Sequence, residues 1–183
     1  MQEYLVATGS NMRHAIHGGP RQILIAAEAA VREAGVRILA TAPLVASRPL
    51  GPSRRVYANG AWHLAASHDP PAMLALLQRL ERHFARRRRG MRWQARTLDL
   101  DIALWSGGCW HGAGAAPPLT IPHPELIRRP FVTGPLSAIA PCWRVPGTGL
   151  TLRQLHARLT ASQPLPSGTR GGALSSVGRA TDF

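Results

Sequence analysis

Hydrophobic and polar positions alternate most strictly over TLDLDIALW, residues 97–105. A period of two sends successive side chains to opposite faces of a strand. Leu98, Leu100, Ile102 and Leu104 are therefore expected on a core face, with Asp99 and Asp101 together on the other, ~7 Å apart along the strand. A helical period runs from Pro20 to Ala34, with proline in the first turn and Gly35 just past the end. A second opens at Pro70 and Pro71 and continues through AMLALLQRLERHFA, and a third covers TLRQLHARL, 151–159. EYLVATG reads as a first strand closed by a polar turn, VRILATAPLVA (36–46) as a β-like run, and NGAWHLAAS (59–67) as another strand. SGGCWHGAGAAPP reads as a Gly-rich turn or hairpin, and FVTGPLSAIAP holds a short helix bounded by prolines. This order of elements supports an α+β domain.

The periodicity stops after Leu159. Residues 160–183, rich in Ser, Gly, Thr and Pro, read as a flexible C-terminal tail on a domain formed by residues 1–159. At 183 residues with 45% hydrophobic and 17% charged content, the chain is globular and long enough to bury a core. No apolar run approaches the ~18 residues of a membrane span, and the N-terminus carries Glu3 in place of a basic leader region. Cys109 and Cys142 lie far apart without metal-ligand spacing, so they are expected to be reduced, buried thiols of a cytoplasmic protein.

Charge changes the picture. The net charge is +13 and every basic residue is Arg, a uniformity that suits codon bias better than physical choice. Position is more informative: six arginines fall within residues 86–96, immediately before the aspartate pair. Such a cluster makes a focused positive field suited to phosphates. Two adjacent carboxylates repel unless protons, arginines or a metal ion lie between them. For an arbitrary Asp-x-Asp a salt-bridged surface strand is the ordinary explanation. With the arginines beside it, the pair suits a hard cation such as Mg²⁺, which bridges carboxylates to substrate phosphates. Trp93 lies between Arg92 and Arg96 as an aromatic platform, and His123 sits between two prolines that stiffen its backbone.

These pieces together resemble the 6-hydroxymethyl-7,8-dihydropterin pyrophosphokinase family, over roughly Tyr4 to Leu159. RWQARTLDLDIAL is similar to the family's R-W-x-x-R-x-L-D-L-D-I pattern. GSN (9–11), PLGP (49–52), YAN (57–59), QRLE (78–81), TIPHP (120–124) and RRPFVTGPLSAIAP (128–141) follow in the family's order. The resemblance implies a ferredoxin-like α+β sandwich, a mainly antiparallel sheet with helices packed on it. It implies transfer of pyrophosphate from ATP to the pterin's hydroxymethyl group, releasing AMP, in folate biosynthesis, with two Mg²⁺ ions held by Asp99 and Asp101. Arg86 and Arg96 would stabilise transition-state charge; Gln78, Glu81, Arg88, Arg92, Ile102, His123 and Arg129 would contact ATP. Ser47, Leu50, Tyr57, Asn59, Trp93 and Phe131 would hold the pterin, the rings by stacking and the amide by reading its donor–acceptor edge.

The chain departs from the family where Ser47-Arg48 precedes PLGP in place of Thr-Pro, at Gly60 and Trp62, and in lacking glycine after Trp93. The rival reading is a nucleic-acid-binding module, suggested by the pI near 11.8. Such a module spreads its cations over a face, whereas here they stand beside two carboxylates. A Mg²⁺-dependent nuclease would leave the pterin motifs without a purpose. The expectation is a cytoplasmic monomer that binds ATP and the dihydropterin, and neither nucleic acid nor membrane.

Overall fold

The computed structural model describes residues 1–47, 56–84, 97–112 and 118–161. Its main elements run β1 (Gln2–Ser10), α1 (Pro20–Glu33), β2 (Arg37–Thr41), β3 (Val45–Ser47), β4 (Tyr57–Ala66), α2 (Pro70–Phe84) and β5 (Asp99–Trp105). A small β6 (Trp110–His111) and β7 (Thr120–Ile121) follow, then α3 (Pro130–Ile139) and α4 (Leu152–Thr160). The main sheet has the order β2-β4-β1-β5, with β3 on the same strand β4, and every pairing is antiparallel. Strand–helix–strand–strand–helix–strand with that order is the ferredoxin-like connection.

The sheet is covered on both faces. On one, Ile23, Leu24, Ala27 and Val31 of α1 and Met73, Leu76 and Leu77 of α2 meet Tyr4, Val6, Trp62, Leu64, Leu100 and Ile102. On the other, Leu136 of α3 and Leu152 and Leu155 of α4 meet Leu5, Ala61, Ala103 and Leu104. A central strand buried on both sides has no solvent face to mark with polar residues. That is why β1 reads as an apolar run, whereas the edge strand β2 alternates between exposed and half-buried positions. Helix α1 has the expected start and stop: proline in its first turn, a Glu28–Arg32 pair at 2.6 Å, and Gly35 at φ +79° beyond its end.

Some expectations change. Residues 36–46 form two strands, β2 and β3, because Pro43 between them has no N–H for a ladder. Leu104 leaves the face of Leu100 and Ile102. A bulge pairs Val6 with Ile102 but Leu5 with Leu104, so Ala103 is the extra residue and Leu104 turns toward α3 and α4. Cys109 and Cys142 are free but exposed, not buried: one lies in the turn after β5 and the other in the segment after α3. The Gly-rich stretch does contain a hairpin pairing, Trp110 with Ile121 and His111 with Thr120. Gly60 has a packing reason: a Cβ there would approach Leu44 Cδ2 to 2.8 Å and Thr8 Oγ1 to 3.0 Å. Trp62 is buried in the α1/α2 core. Helix α4 carries a capping box between Thr151 and Gln154 and ends at Thr160. The arginine cluster and most of the tail lie outside the described residues.

Candidate active site

Three strands and one helix end converge on a cavity lined by Ala7, Thr8, Gly9, Asn59, Gly60, Asp99, Asp101, Arg129, Phe131 and Val132. Register explains the floor. Gly9 pairs with Asn59 on one side and Asp99 on the other, and Ala7 pairs with Ala61 and Asp101. Asn59, Gly9 and Asp99 therefore form one row across the sheet, with Ala61, Ala7 and Asp101 in the next. A Cβ at Gly9 would lie 3.5 Å from Asn59 Oδ1 and 3.8 Å from the Asp99 Cβ. Small residues at 7 and 9 thus keep open the space between the amide and the carboxylates.

Long-range hydrogen bonds hold the carboxylate strand. Ser10 Oγ donates to the Thr97 carbonyl at 2.6 Å, tying the end of β1 to the residues just before β5. The Leu100 N–H, between the two aspartates in sequence, donates to Glu81 Oε1 on α2 at 2.8 Å. Farther along, the His123 N–H donates to the carbonyl of the bulge residue Ala103 at 3.0 Å. His123 Nδ1 accepts from the Glu125 N–H at 3.1 Å, so the neutral ring carries its proton on Nε2. The Ile121–Pro122 peptide before it is cis.

Across the cavity, Arg129 is the N-cap residue of α3, and Pro130 then starts the helix. Its Nε lies 3.4 Å from Glu125 Oε2, and its guanidinium carbon is 6.0 Å from the Phe131 ring centroid. Glu125 thereby orients a cation that faces the carboxylate pair.

The expected residues divide into groups. Asp99, Asp101, Asn59, Arg129 and Phe131 share the cavity. Tyr57 stands two residues before Asn59 on β4, pairs with Ser47, and borders a second cavity with Pro20, Arg21, Leu44 and Val56. Ile102 is buried in the α1/α2 core, so its side chain points away from the aspartates. Gln78 is exposed on α2, one turn before Glu81. Leu50, Arg86, Arg88, Arg92, Trp93 and Arg96 lie outside the described residues. Sequence reasoning missed Ser10, Thr8, Glu125 and Val132. GSN and PHPE held the signal for Ser10 and Glu125, but only as parts of motifs without a partner.

The donors fit a hard divalent cation. Two carboxylates project from one strand face above a floor that a Cβ would fill. Among the described residues no three His, Cys, Asp or Glu side chains gather into a metal-binding group. Mg²⁺ commonly uses only one or two carboxylates and takes its remaining ligands from water and substrate phosphate.

A family model for 7,8-dihydro-6-hydroxymethylpterin-pyrophosphokinase matches residues 5–141. Curated relatives named 2-amino-4-hydroxy-6-hydroxymethyldihydropteridine pyrophosphokinase agree with it. The protein of Synechocystis sp. is 38% identical over 144 residues, covering 77% of this chain and 71% of its own. That of Pseudomonas aeruginosa is 37% identical over 148 residues, covering 80% and 85%. That of Haemophilus influenzae is 33% identical over 136 residues, covering 74% and 79%. With three quarters of its length under the family model, and its aspartates, asparagine and arginine gathered in one cavity, the chain belongs to the 7,8-dihydro-6-hydroxymethylpterin-pyrophosphokinase family.

Proposed function

We propose that the cavity between β1, β4, β5 and α3 is where this pyrophosphokinase of folate biosynthesis works. ATP would bind over Asp99 and Asp101, and 6-hydroxymethyl-7,8-dihydropterin between Asn59 and Phe131. The hydroxymethyl oxygen attacks the β-phosphorus, the bond from that phosphorus to the α,β-bridging oxygen breaks, and AMP leaves. The hydroxyl proton goes to solvent. The row Asn59–Gly9–Asp99, facing Arg129 and Phe131, carries this reading: it sets a base-reading amide, a carboxylate and a cation around one floor.

Asp99 and Asp101 would hold two Mg²⁺ ions, which neutralise polyphosphate charge when bound. The rest is positioning and electrostatics from the chain. Phe131, with Tyr57 and Trp93, would stack the flat bicyclic ring, and Asn59 would read its edge. Ser47 and Leu50 would close the pterin side. Arg88, Arg92 and Arg129 would grip the phosphates, with Gln78, Glu81, His123 and the Ile102 backbone toward the nucleotide. Arg86 and Arg96 would meet the charge that grows on the bridging oxygen as its bond breaks. No described helix is long and apolar enough to cross a membrane. A cytoplasmic monomer is part of the same proposal, and sedimentation at assay concentration checks the monomer.

The test is direct. Incubation with ATP, the dihydropterin and Mg²⁺ is expected to yield AMP and pterin diphosphate in equal amounts, and a chelator is expected to stop both. AMP without pterin diphosphate, or unchanged turnover in the chelator, overturns the corresponding half of the proposal.

A further inference from the structure

The wall opposite the aspartates is the first turn of α3, where the Val132 and Thr133 N–H groups both donate to the Arg129 carbonyl at 3.0 Å. Arg129 at its N-cap is extended, no side chain among the described residues caps the helix, and the first turn has no acidic residue. Pro135 lies inside the helix, so the Phe131 carbonyl lacks its usual donor four residues on. Contacts from outside α3 therefore add to what sets the height and rotation of Arg129, Phe131 and Val132, as the Arg129–Glu125 pair does.

We propose that His156 on α4 is a positioning residue for the pterin side of the cavity, acting through Thr133. Thr133 is fully buried, and its Oγ1 shares a hydrogen bond of 3.0 Å with His156 Nδ1. The hydroxyl's approaches to its own helix carbonyls are longer, 3.5 Å to Arg129 and 3.4 Å to Pro130. The next residue is Gly134, where a Cβ would lie 3.2 Å from His156 Cε1 and 3.6 Å from Nε2. Glycine inside a helix is less favourable than alanine. Here its lack of a side chain lets the imidazole lie against α3. A buried hydroxyl and a missing side chain at consecutive positions together make a seat for one ring.

The platform under that ring is firm. The Thr151–Gln154 capping box fixes the start of α4, and Leu152 and Leu155 are buried in the second core. The Leu152 and Arg153 N–H groups donate to the Trp143 and Pro141 carbonyls at 2.9 and 3.1 Å. Because α4 is anchored in this way, the Thr133–His156 bond ties the first turn of α3 to a fixed point outside its own helix. Phe131 stands two residues from Thr133 and Arg129 four. The bond therefore bears on how well the ring of the acceptor substrate is held, more than on the charges around the phosphates.

This inference rests on the cavity's assignment to the pterin, and the experiment keeps the two apart. Thr133→Val keeps the β-branched shape without the hydroxyl, and His156→Leu keeps bulk without the nitrogen. His156→Asn returns a polar atom near the place of Nδ1. A net hydrogen bond of about 1 kcal/mol corresponds to about fivefold in affinity. Thr133→Val and His156→Leu are each expected to raise the pterin KM by about that factor with kcat little changed. The double variant is expected to be no worse than either single, since both remove one bond. His156→Asn is expected to recover most of the loss. Unchanged pterin KM in the folded single variants, additive effects, or a fall in melting temperature alone would overturn the proposal. Should Thr133→Val fail to fold, the His156→Leu and His156→Asn pair carries the comparison. If the wild-type protein makes no pterin diphosphate, the cavity assignment fails first; faster amide exchange at Val132 and Thr133 in His156→Leu than in wild type still supports positioning of α3 by His156, and equal exchange overturns it.

Discussion

Glu81 Oε1 accepts the N–H of Leu100 at 2.8 Å, so a carboxylate on α2 holds the backbone of the residue that separates Asp99 from Asp101. Strand β5 ends the main sheet, and an edge strand presents N–H groups that no neighbouring strand takes up. Glu81 satisfies one of them and ties the carboxylate strand to the helix behind it. Glu81→Ala is expected to cost about 1–3 kcal/mol of stability by leaving that donor without its acceptor. Glu81→Gln keeps an acceptor oxygen and is expected to keep most of the stability. Denaturant melts of both variants decide this. A raised ATP KM with unchanged stability would show that Glu81 serves the nucleotide without supporting the strand.

Asp99→Asn and Asp101→Asn keep side-chain size but remove the charge that binds a hard cation. Each variant is expected to fold, with wild-type-like melting, and to lose nearly all Mg²⁺-dependent transfer. If the aspartates were only surface ion-pair partners, the same changes would cost at most about 1 kcal/mol of stability and leave turnover intact. Melting curves and initial rates, measured on the same preparations, separate the two outcomes.

Gly9 offers a cleaner split between fold and function. A Cβ there meets its neighbours at ordinary contact distances, so Gly9→Ala is expected to fold with stability unchanged or slightly raised. The same methyl occupies the floor between Asn59 and Asp99. Substrate binding is expected to weaken, visible as raised KM for the pterin. A variant with normal KM would show that the substrate does not use this floor.

Tyr4 provides a pH signature far from the chemistry. Its ring is fully buried, and its hydroxyl donates to the His68 carbonyl at 2.6 Å. Burial, and then the negative charge of Asp69, push its pKa from 10.0 to about 12. The folded pKa lies above the unfolded one, so the native state favours the neutral phenol. Its contribution is fully present below pH 10 and is lost as pH rises toward 12, on the order of 2–3 kcal/mol across the window. Tyr4→Phe is expected to flatten that part of the stability profile. Parallel slopes for the two proteins between pH 10 and 12 would exclude Tyr4 as the source.

We also propose that the domain ends with α4. The second core draws on Leu155 and Leu159 but on nothing later among the described residues. Truncation after Thr160 is expected to leave activity and Tm nearly unchanged, and a large drop in Tm would show that residues beyond α4 contribute to the core.

Local periodicity carried much of this protein. The strict alternation of residues 97–105 placed Asp99 and Asp101 on one strand face without any tertiary information, because side-chain direction in a strand follows from backbone geometry alone. Proline at the start and glycine past the end likewise marked α1. The ordered motifs pointed to the family, since their residue types answer to one reaction. What local pattern could not reach were relationships between distant segments. The bulge at Ala103, which turns Leu104 toward α3, arises from how β5 pairs with β1. The open floor at Gly9 depends on the register that sets Asn59 and Asp99 on either side of it. Exposure of the two cysteines depends on what packs around the turns that carry them. Ser10 with Thr97, Glu81 with Leu100, and Thr133 with His156 join residues 87, 19 and 23 positions apart. Each side chain alone reads as an ordinary polar residue. Only the approach of the two segments turns it into a partner, and that approach is set by the packing of both helical layers on one sheet.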